Sequence, residues 1–225
     1  SFHLVTIFPK LTDPYWRYGV FSRAVRQGLI KIEVHNLRDF SLDKKHRRVD
    51  DRPYGGGPGM VLEALPVVRA VEKIRREART KNSQTKVLIM SARGKQFTNV
   101  WAARLARRYD ELILVAGRYE GIDARVGRLM PGAEEVSIGP YVLTGGELAA
   151  MVVTDAVARR LPGVLGDTES LEEKRVSSSK VYTRPEVITW RGRRYRVPKI
   201  LLSGHHARIT NWRQSKARGL STPRD

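Results

Sequence analysis

Along the first two thirds of the chain, short continuous apolar runs alternate with stretches whose apolar residues recur every three or four positions. The runs LVTIF at 4 to 8, IEVHNL at 32 to 37, VLIMS at 87 to 91 and LILVAG at 112 to 117 read as buried parallel strands, since a strand covered on both faces shows no polar alternation. Between them, GVFSRAVRQGLI, ALPVVRAVEKIRREA and VWAARLARRY have the spacing of helices that lay one apolar stripe on a sheet. A last helix, GELAAMVVTDAVARRL from 146 to 161, ends at Pro162 and Gly163, and the polar, serine-rich DTESLEEKRVSSSK that follows reads as a flexible linker. The pattern predicts an α/β domain over residues 1 to 166, a linker over 167 to 181 and a separate C-terminal domain over 182 to 225. No internal repeat or low-complexity tract interrupts it.

Charge changes the picture most. The 225 residues carry a formal net charge of +19, far beyond what solubility needs, which points to a phosphate-rich partner, with acidic membrane surfaces as the competitor. Residues 171 to 225 hold 14 lysines and arginines against 4 acids. There RGRRYR, at 191 to 196, sets an aromatic among four arginines, a mixture suited to base stacking and phosphate contact rather than to a merely solvated face. No apolar run approaches the roughly 18 to 20 residues of a membrane span, and the start SFHLVTIFPK is not a secretory signal; a cytoplasmic protein is expected. The absence of cysteine excludes disulfides, thiol catalysis and cysteine-based metal centres. Of five histidines, His205 and His206 alone are close in sequence and would face different ways on a regular element, so no structural metal is expected.

Three glycine-bearing segments carry the candidate chemistry. DDRPYGGGPGM at 50 to 60 matches neither the dinucleotide fingerprint nor the phosphate-binding loop. Its four glycines permit close backbone approach, and Asp50 and Asp51 can accept hydrogen bonds from a base edge. One or two glycines would suffice for a mobile turn, so a binding loop is the stronger reading. AGRYEGIDARV at 116 to 126 follows a strand, and EVSIGPYVLTGGEL at 135 to 148 lies between a short strand and the last helix. Ligands of α/β proteins bind at such strand ends, where glycines let backbone groups face an adenine edge. Taken singly, Glu120 and Asp123 read as acids at a helix start, and surface placement is equally ordinary for Arg118, Tyr119 and Arg125.

Together with SIGPYVLTGGELAAMVVTDAVARRLPGVLG, YTRPEV and VPKILLSGHHARITNWR, these segments resemble, in order and over Phe2 to Arg213, the bacterial tRNA guanine-N1 methyltransferases. The resemblance implies a SPOUT-type α/β fold, a parallel sheet with a deep trefoil knot that pattern rules alone would not supply. It also implies a small, mainly helical C-terminal RNA-binding domain and a homodimer with its active site at the subunit interface. The methyl donor implied is S-adenosylmethionine, the substrate the anticodon branch of tRNA, the product guanine methylated on N1 at position 37, and magnesium a requirement of the family.

Carried over residue by residue, the resemblance lines the donor site with Met90, Ser91, Gly117, Tyr119 and Glu120 and with Ser137, Ile138, Gly139, Tyr141, Val142, Leu143, Gly145 and Gly146. Asp50, Tyr54 and Gly59 would meet the guanine, and Tyr182, Arg184, His205 and Arg213 would grip the RNA. Removal of the N1 proton needs a base, and charge growing on O6 needs a cation. Arg159 matches the family's arginine for the second role. The chain departs from the family in three places. Pro140 replaces the usual Asp, removing an N–H. Lys174 stands at the acidic position expected of the base, which makes Glu173, or Glu172, the candidate after a short shift, with a lysine of lowered pKa as the other. Family members also continue through further helices after WR, so the C-terminal domain reads as shortened. A SPOUT enzyme for another RNA base, or a non-catalytic RNA-binding homologue disabled at Lys174, are the competing readings.

Overall fold

The computed structural model describes residues 1–80, 83–165 and 181–216. The chain divides into two compact units, Ser1–Gly166 and Asp167–Asp225. The stretch read as a linker, with Glu172, Glu173 and Lys174, lies outside the described residues save for its last residue.

The first unit opens with β1 (Phe2–Thr6), a 3-10 turn, α1 (Asp13–Trp16), α2 (Gly19–Arg26) and β2 (Ile32–Asn36). A short hairpin, β3 (Asp50–Asp51) with β4 (Val61–Leu62), frames the glycine-rich loop. Then come α3 (Ala64–Thr80), β5 (Thr85–Gln96), α4 (Asn99–Arg108), β6 (Glu111–Ala116), α5 (Arg125–Leu129), β7 (Glu134–Ser137) and α6 (Glu147–Ala158). The five long strands form one parallel sheet in the order β2-β1-β6-β5-β7.

Alternation along each central strand explains the layering. Leu4, Leu88, Leu112 and Leu114 face one side with Phe21, Trp101, Leu105 and Val153 from α2, α4 and α6. Val5, Val87, Ile113 and Val115 face the other with Val67, Val71 and Ile74 of α3 and Val126 of α5. Such double covering makes β6 apolar from Leu112 to Ala116 and buried at every position, its first residue Glu111 included. One expectation needs correcting: 32 to 37 was read as a fully buried strand, but β2 is the sheet edge and half-buried along its length.

The second unit has an antiparallel hairpin, β8 (Val187–Trp190) with β9 (Arg193–Arg196), followed by α7 (Lys199–Leu202) and α8 (His206–Lys216). The hairpin was not part of the mainly helical expectation. RGRRYR forms its turn and second strand, with every residue of β9 exposed.

Candidate active site

A cavity of about 420 Å³ opens at the carboxyl ends of β6 and β7, beside the irregularity that interrupts β5 between Met90 and Lys95. Met90 and Ser91 enter it from β5, Ser137 closes β7, and Gly117, Tyr119 and Glu120 follow β6. The segment between β7 and α6 supplies Ile138, Gly139, Tyr141, Val142, Leu143, Gly145 and Gly146. All thirteen residues singled out for the donor thus surround one hollow, the size of a small-molecule site. Pro140 is exposed and not among its lining residues.

Hydrogen bonds hold this loop against the sheet. Gly146 N–H donates to the Gly117 carbonyl at 2.8 Å, and Arg118 and Gly145 form an antiparallel bridge. A Cβ on Gly146 would stand 2.8 Å from both Ala116 Cα and Gly117 N, backbone atoms that cannot yield; the approach admits glycine alone. Ser137 Oγ donates to the Gly139 carbonyl at 2.9 Å, and Tyr141 N–H donates to the same oxygen at 2.9 Å. The backbone is thereby fixed before any ligand arrives, while Val142, 85% exposed, leaves an apolar side chain uncovered. Tyr119 takes a positive φ of 59°, the kind of local strain that functional sites store.

Arg118 was read as an ordinary surface residue, and the structure gives it a structural task. Its Nε donates to the Glu147 carboxylate at 2.9 Å, a terminal nitrogen donates to the Thr144 carbonyl at 3.2 Å, and its guanidinium lies 4.8 Å from the Phe8 ring centre. Glu147 is 3% exposed and also accepts from Thr6 Oγ1 at 2.6 Å. Asp123, read as a helix-start acid, lies before the N-cap residue Ala124 and outside the first turn of α5, but its carboxylate accepts the Arg125 N–H at 2.9 Å. The Arg125 side chain beside it holds the Asp123 carboxyl below the usual range, and Arg125 itself is exposed.

The glycine-rich loop is tied to this cavity. Glu120 N–H donates to the Met60 carbonyl at 3.0 Å, Leu62 N–H to the Gly121 carbonyl at 2.9 Å, and Asp123 N–H to the Leu62 carbonyl at 2.9 Å. Gly59, with φ of +82°, packs on the Glu120 side chain. Asp50 is half-buried on β3, and Tyr54 is fully exposed.

Arg159 is not brought to the cavity of its own chain. It caps the far end of α6, whose first turn carries Gly146, so the two lie roughly 20 Å apart at 1.5 Å per residue. There it lines a second hollow with Leu11, Tyr15, Tyr18, Val20, Met151 and Asp155. In the second unit, Tyr182 and Trp212 rings stand 6.5 Å apart. Arg184, His205 and Arg213 are exposed there.

A parallel α/β domain with a pre-formed, backbone-lined cavity at its strand ends, followed by a basic unit that exposes arginines and aromatics, defines the class: a small-molecule-binding α/β domain joined to a strongly cationic one. The sequence profile of the family described as tRNA (Guanine-1)-methyltransferase TrmD matches residues 1–224, and the chain belongs to that family. It is 48% identical over 220 residues to the tRNA (guanine-N(1)-)-methyltransferase of Thermomicrobium roseum, covering 96% of this chain and 78% of the relative. The enzyme of the same name from Colwellia psychrerythraea is 45% identical over 219 residues, 95% of this chain and 85% of its own. That of Chromohalobacter salexigens is 46% identical over 223 residues, 96% and 81% of the two.

Proposed function

We propose that this protein transfers a methyl group from S-adenosylmethionine to N1 of the guanine at position 37 of tRNA, beside the anticodon, in the cytoplasm. The observation that carries this reading is the meeting of the donor-loop residues around one cavity with the glycine-rich loop hydrogen-bonded to its rim at Glu120. S-adenosylmethionine, when bound, supplies an electrophilic methyl on a sulfonium. The residues fit such a ligand: backbone groups of 138 to 143 suit an adenine edge, and Val142 and Leu143 its faces. Asp50 takes the Watson-Crick edge of guanine, and Gly59 lets the base approach. Magnesium is expected with the family. Glu120 and Glu135, both exposed, are the carboxylates that line the cavity, and no step is assigned to the metal.

The position of Arg159 supports the homodimer. An arginine side chain cannot span roughly 20 Å, so the guanidinium that steadies charge on guanine O6 comes from a second copy, and each active site is shared between two chains. The hollow around Arg159, with Leu11, Tyr15 and Tyr18 exposed on it, offers the apolar surface such a contact needs. A trefoil knot is supported by the path of residues 137 to 146. Phe97 N–H donates to the Ser137 carbonyl, and Gly146 N–H to that of Gly117; the chain is thus held by the loops after both β5 and β6 before α6 returns to the sheet.

Tyr182, Arg184, His205 and Arg213, with the arginines of β9, form the tRNA-gripping surface of the C-terminal domain. Glu173 is the base, with Lys174 as the other candidate. Transfer of labelled methyl from S-adenosylmethionine to unmodified tRNA tests the assignment. Wild type is expected to methylate one guanine and Glu173→Gln to lose the activity; loss in Lys174→Ala alone moves the role to lysine. Tight tRNA binding without transfer by wild type overturns the enzyme reading for this chain.

A further inference from the structure

On β1 and β2, outside the residues that line the cavity, strand pairing gathers a set of metal-type ligands that sequence distance concealed. β1 and β2 run parallel with His3 opposite Glu33 and Val5 opposite His35. His3 Nδ1 lies 3.1 Å from His35 Nε2, and His3 Nε2 lies 2.8 Å from a carboxylate oxygen of Glu111 at the start of β6. His3 and Glu111 are buried, at 5% and 4% exposure. Ligand atoms of His3, Glu33 and His35 all fall within 4.8 Å of one another, the one such group among the described residues.

We propose that His3, His35 and Glu33 bind a transition-metal ion of the zinc type, clamping the edge strand β2 to β1. Two imidazole nitrogens on a tetrahedral ion, each about 2.05 Å from it, stand about 3.3 Å apart. The 3.1 Å observed is within a few tenths of that spacing. Glu111 is the carboxylate that orients a ligating histidine: it accepts the proton of His3 Nε2, which leaves Nδ1 as a lone pair turned toward His35. In the metal-free protein His35 Nε2–H donates to that lone pair; on metal binding the proton of His35 moves to its Nδ1, so that Nε2 meets the ion as a neutral ligand. The third ligand, Glu33, pairs with the exposed Lys31, and turns from it to the ion; water completes four-coordination. Two nitrogens favour zinc, cobalt or nickel over magnesium. Glu33 and Glu111 offset the double charge of the ion in a site that Lys31 borders and that Lys73 and Glu77 of α3 face.

His3 stands opposite Ile113 of β6, four residues or roughly 13 Å along the strand from Gly117, and none of the three ligands lines the cavity, so the role of the site is structural and its binding can be read without the methyl-transfer assay. The test is titration of the full chain with Co²⁺, followed by its visible absorption, with Zn²⁺ equilibrium dialysis alongside. Wild type is expected to bind one ion with the intense bands of tetrahedral Co²⁺, and to melt at a higher temperature in Zn²⁺. Glu33→Gln, a half-buried edge position, and His35→Gln should each weaken binding by at least about tenfold. Glu111→Gln should weaken it about 10- to 100-fold while keeping one ion per chain. A His205→Ala, His206→Ala double variant should bind as wild type. Circular dichroism of the metal-free variants verifies folding, and Glu33→Gln keeps the test decisive if His35→Gln does not fold. Affinity unchanged in Glu33→Gln and His35→Gln, binding that disappears with His205 and His206, or no tetrahedral Co²⁺ spectrum in wild type overturns the proposal.

Discussion

Gly59 lies so close to Glu120 that a Cβ placed on it would stand 2.6 Å from Oε1 and 2.8 Å from Cγ. The glycine-rich loop and the loop after β6 are therefore fitted to each other at this point, and two separable costs await any side chain there. One is steric, and the Glu120 side chain, exposed, can relieve it by turning away. The other is the φ of +82°, which no neighbour can relieve. Gly59→Ala is expected to destabilise the protein by about 1 kcal/mol or more. In the double variant with Glu120→Ala part of that loss should return, and the remainder measures the backbone strain. Urea unfolding of the four proteins of this cycle checks it; full recovery would place the whole cost in the side-chain contact.

Arg118 supplies the second prediction. Its guanidinium satisfies the carboxylate of Glu147, which is 3% exposed and hydrogen-bonded also to Thr6. Removing one partner of a buried pair leaves the other charged and unpaired, so Arg118→Ala should cost about 3 kcal/mol. It should also loosen the 144 to 147 turn and weaken binding of S-adenosylmethionine. Adding Glu147→Gln should restore much of the stability, since the unpaired charge is then gone. Chemical denaturation and calorimetric donor titration separate the two effects. A loss below about 0.5 kcal/mol for Arg118→Ala would show that water reaches Glu147.

Much of this arrangement was legible beforehand, for identifiable reasons. Runs such as LILVAG declare a doubly covered strand, and Ala116, which ends β6, is followed at once by the cavity residue Gly117. The residues that line the cavity were picked out by long motifs. What escaped depends on pairing between distant segments. Nothing local marks Glu147 as buried, because an acid in the first turn of a helix ordinarily faces water beside the positive end of the helix dipole; its partners Thr6 and Arg118 are far away in sequence. His3 and His35 meet through the β1–β2 register. The edge position of β2 was equally invisible, since IEVHNL does not state how many neighbours it will have. Arg159 illustrates the converse: its identity was legible, but a single chain does not bring it to the cavity.

Glu63 gives a pH dependence. Desolvation first, and then the nearby charges of Asp51 and Asp50, raise its carboxyl above the usual glutamate value. A carboxyl with a raised folded-state pKa binds its proton more readily in the folded protein than in the unfolded chain. Stability therefore falls as pH rises from the ordinary glutamate range through the raised value, and stays reduced at neutral pH. Glu63→Gln should accordingly be more stable than wild type at pH 7, by a few tenths of a kcal/mol for a half-buried site. The advantage should vanish once pH drops below the ordinary glutamate range. Melting curves of both proteins at acid and neutral pH check the sign; a variant less stable than wild type at pH 7 would show that Glu63 is stabilised as an anion.

The separation of Arg159 from its own cavity makes the shared active site testable by complementation. An Arg159→Ala chain keeps an intact donor cavity, and a Gly146→Val chain keeps Arg159 but fills the approach to Ala116 and Gly117. Each homodimer should be inactive. In a heterodimer one site joins the intact cavity of the first chain to the intact arginine of the second, while the other site has neither. After equal mixing with subunit exchange, about half the dimers are mixed and each has one working site, so roughly a quarter of the wild-type rate should return. If Arg159 acted within its own chain, no combination would restore a site and mixing would recover nothing. Co-expression with two affinity tags isolates the mixed dimer, in which half the wild-type rate per dimer is expected. An inactive mixed dimer that still binds both S-adenosylmethionine and tRNA would exclude the shared site.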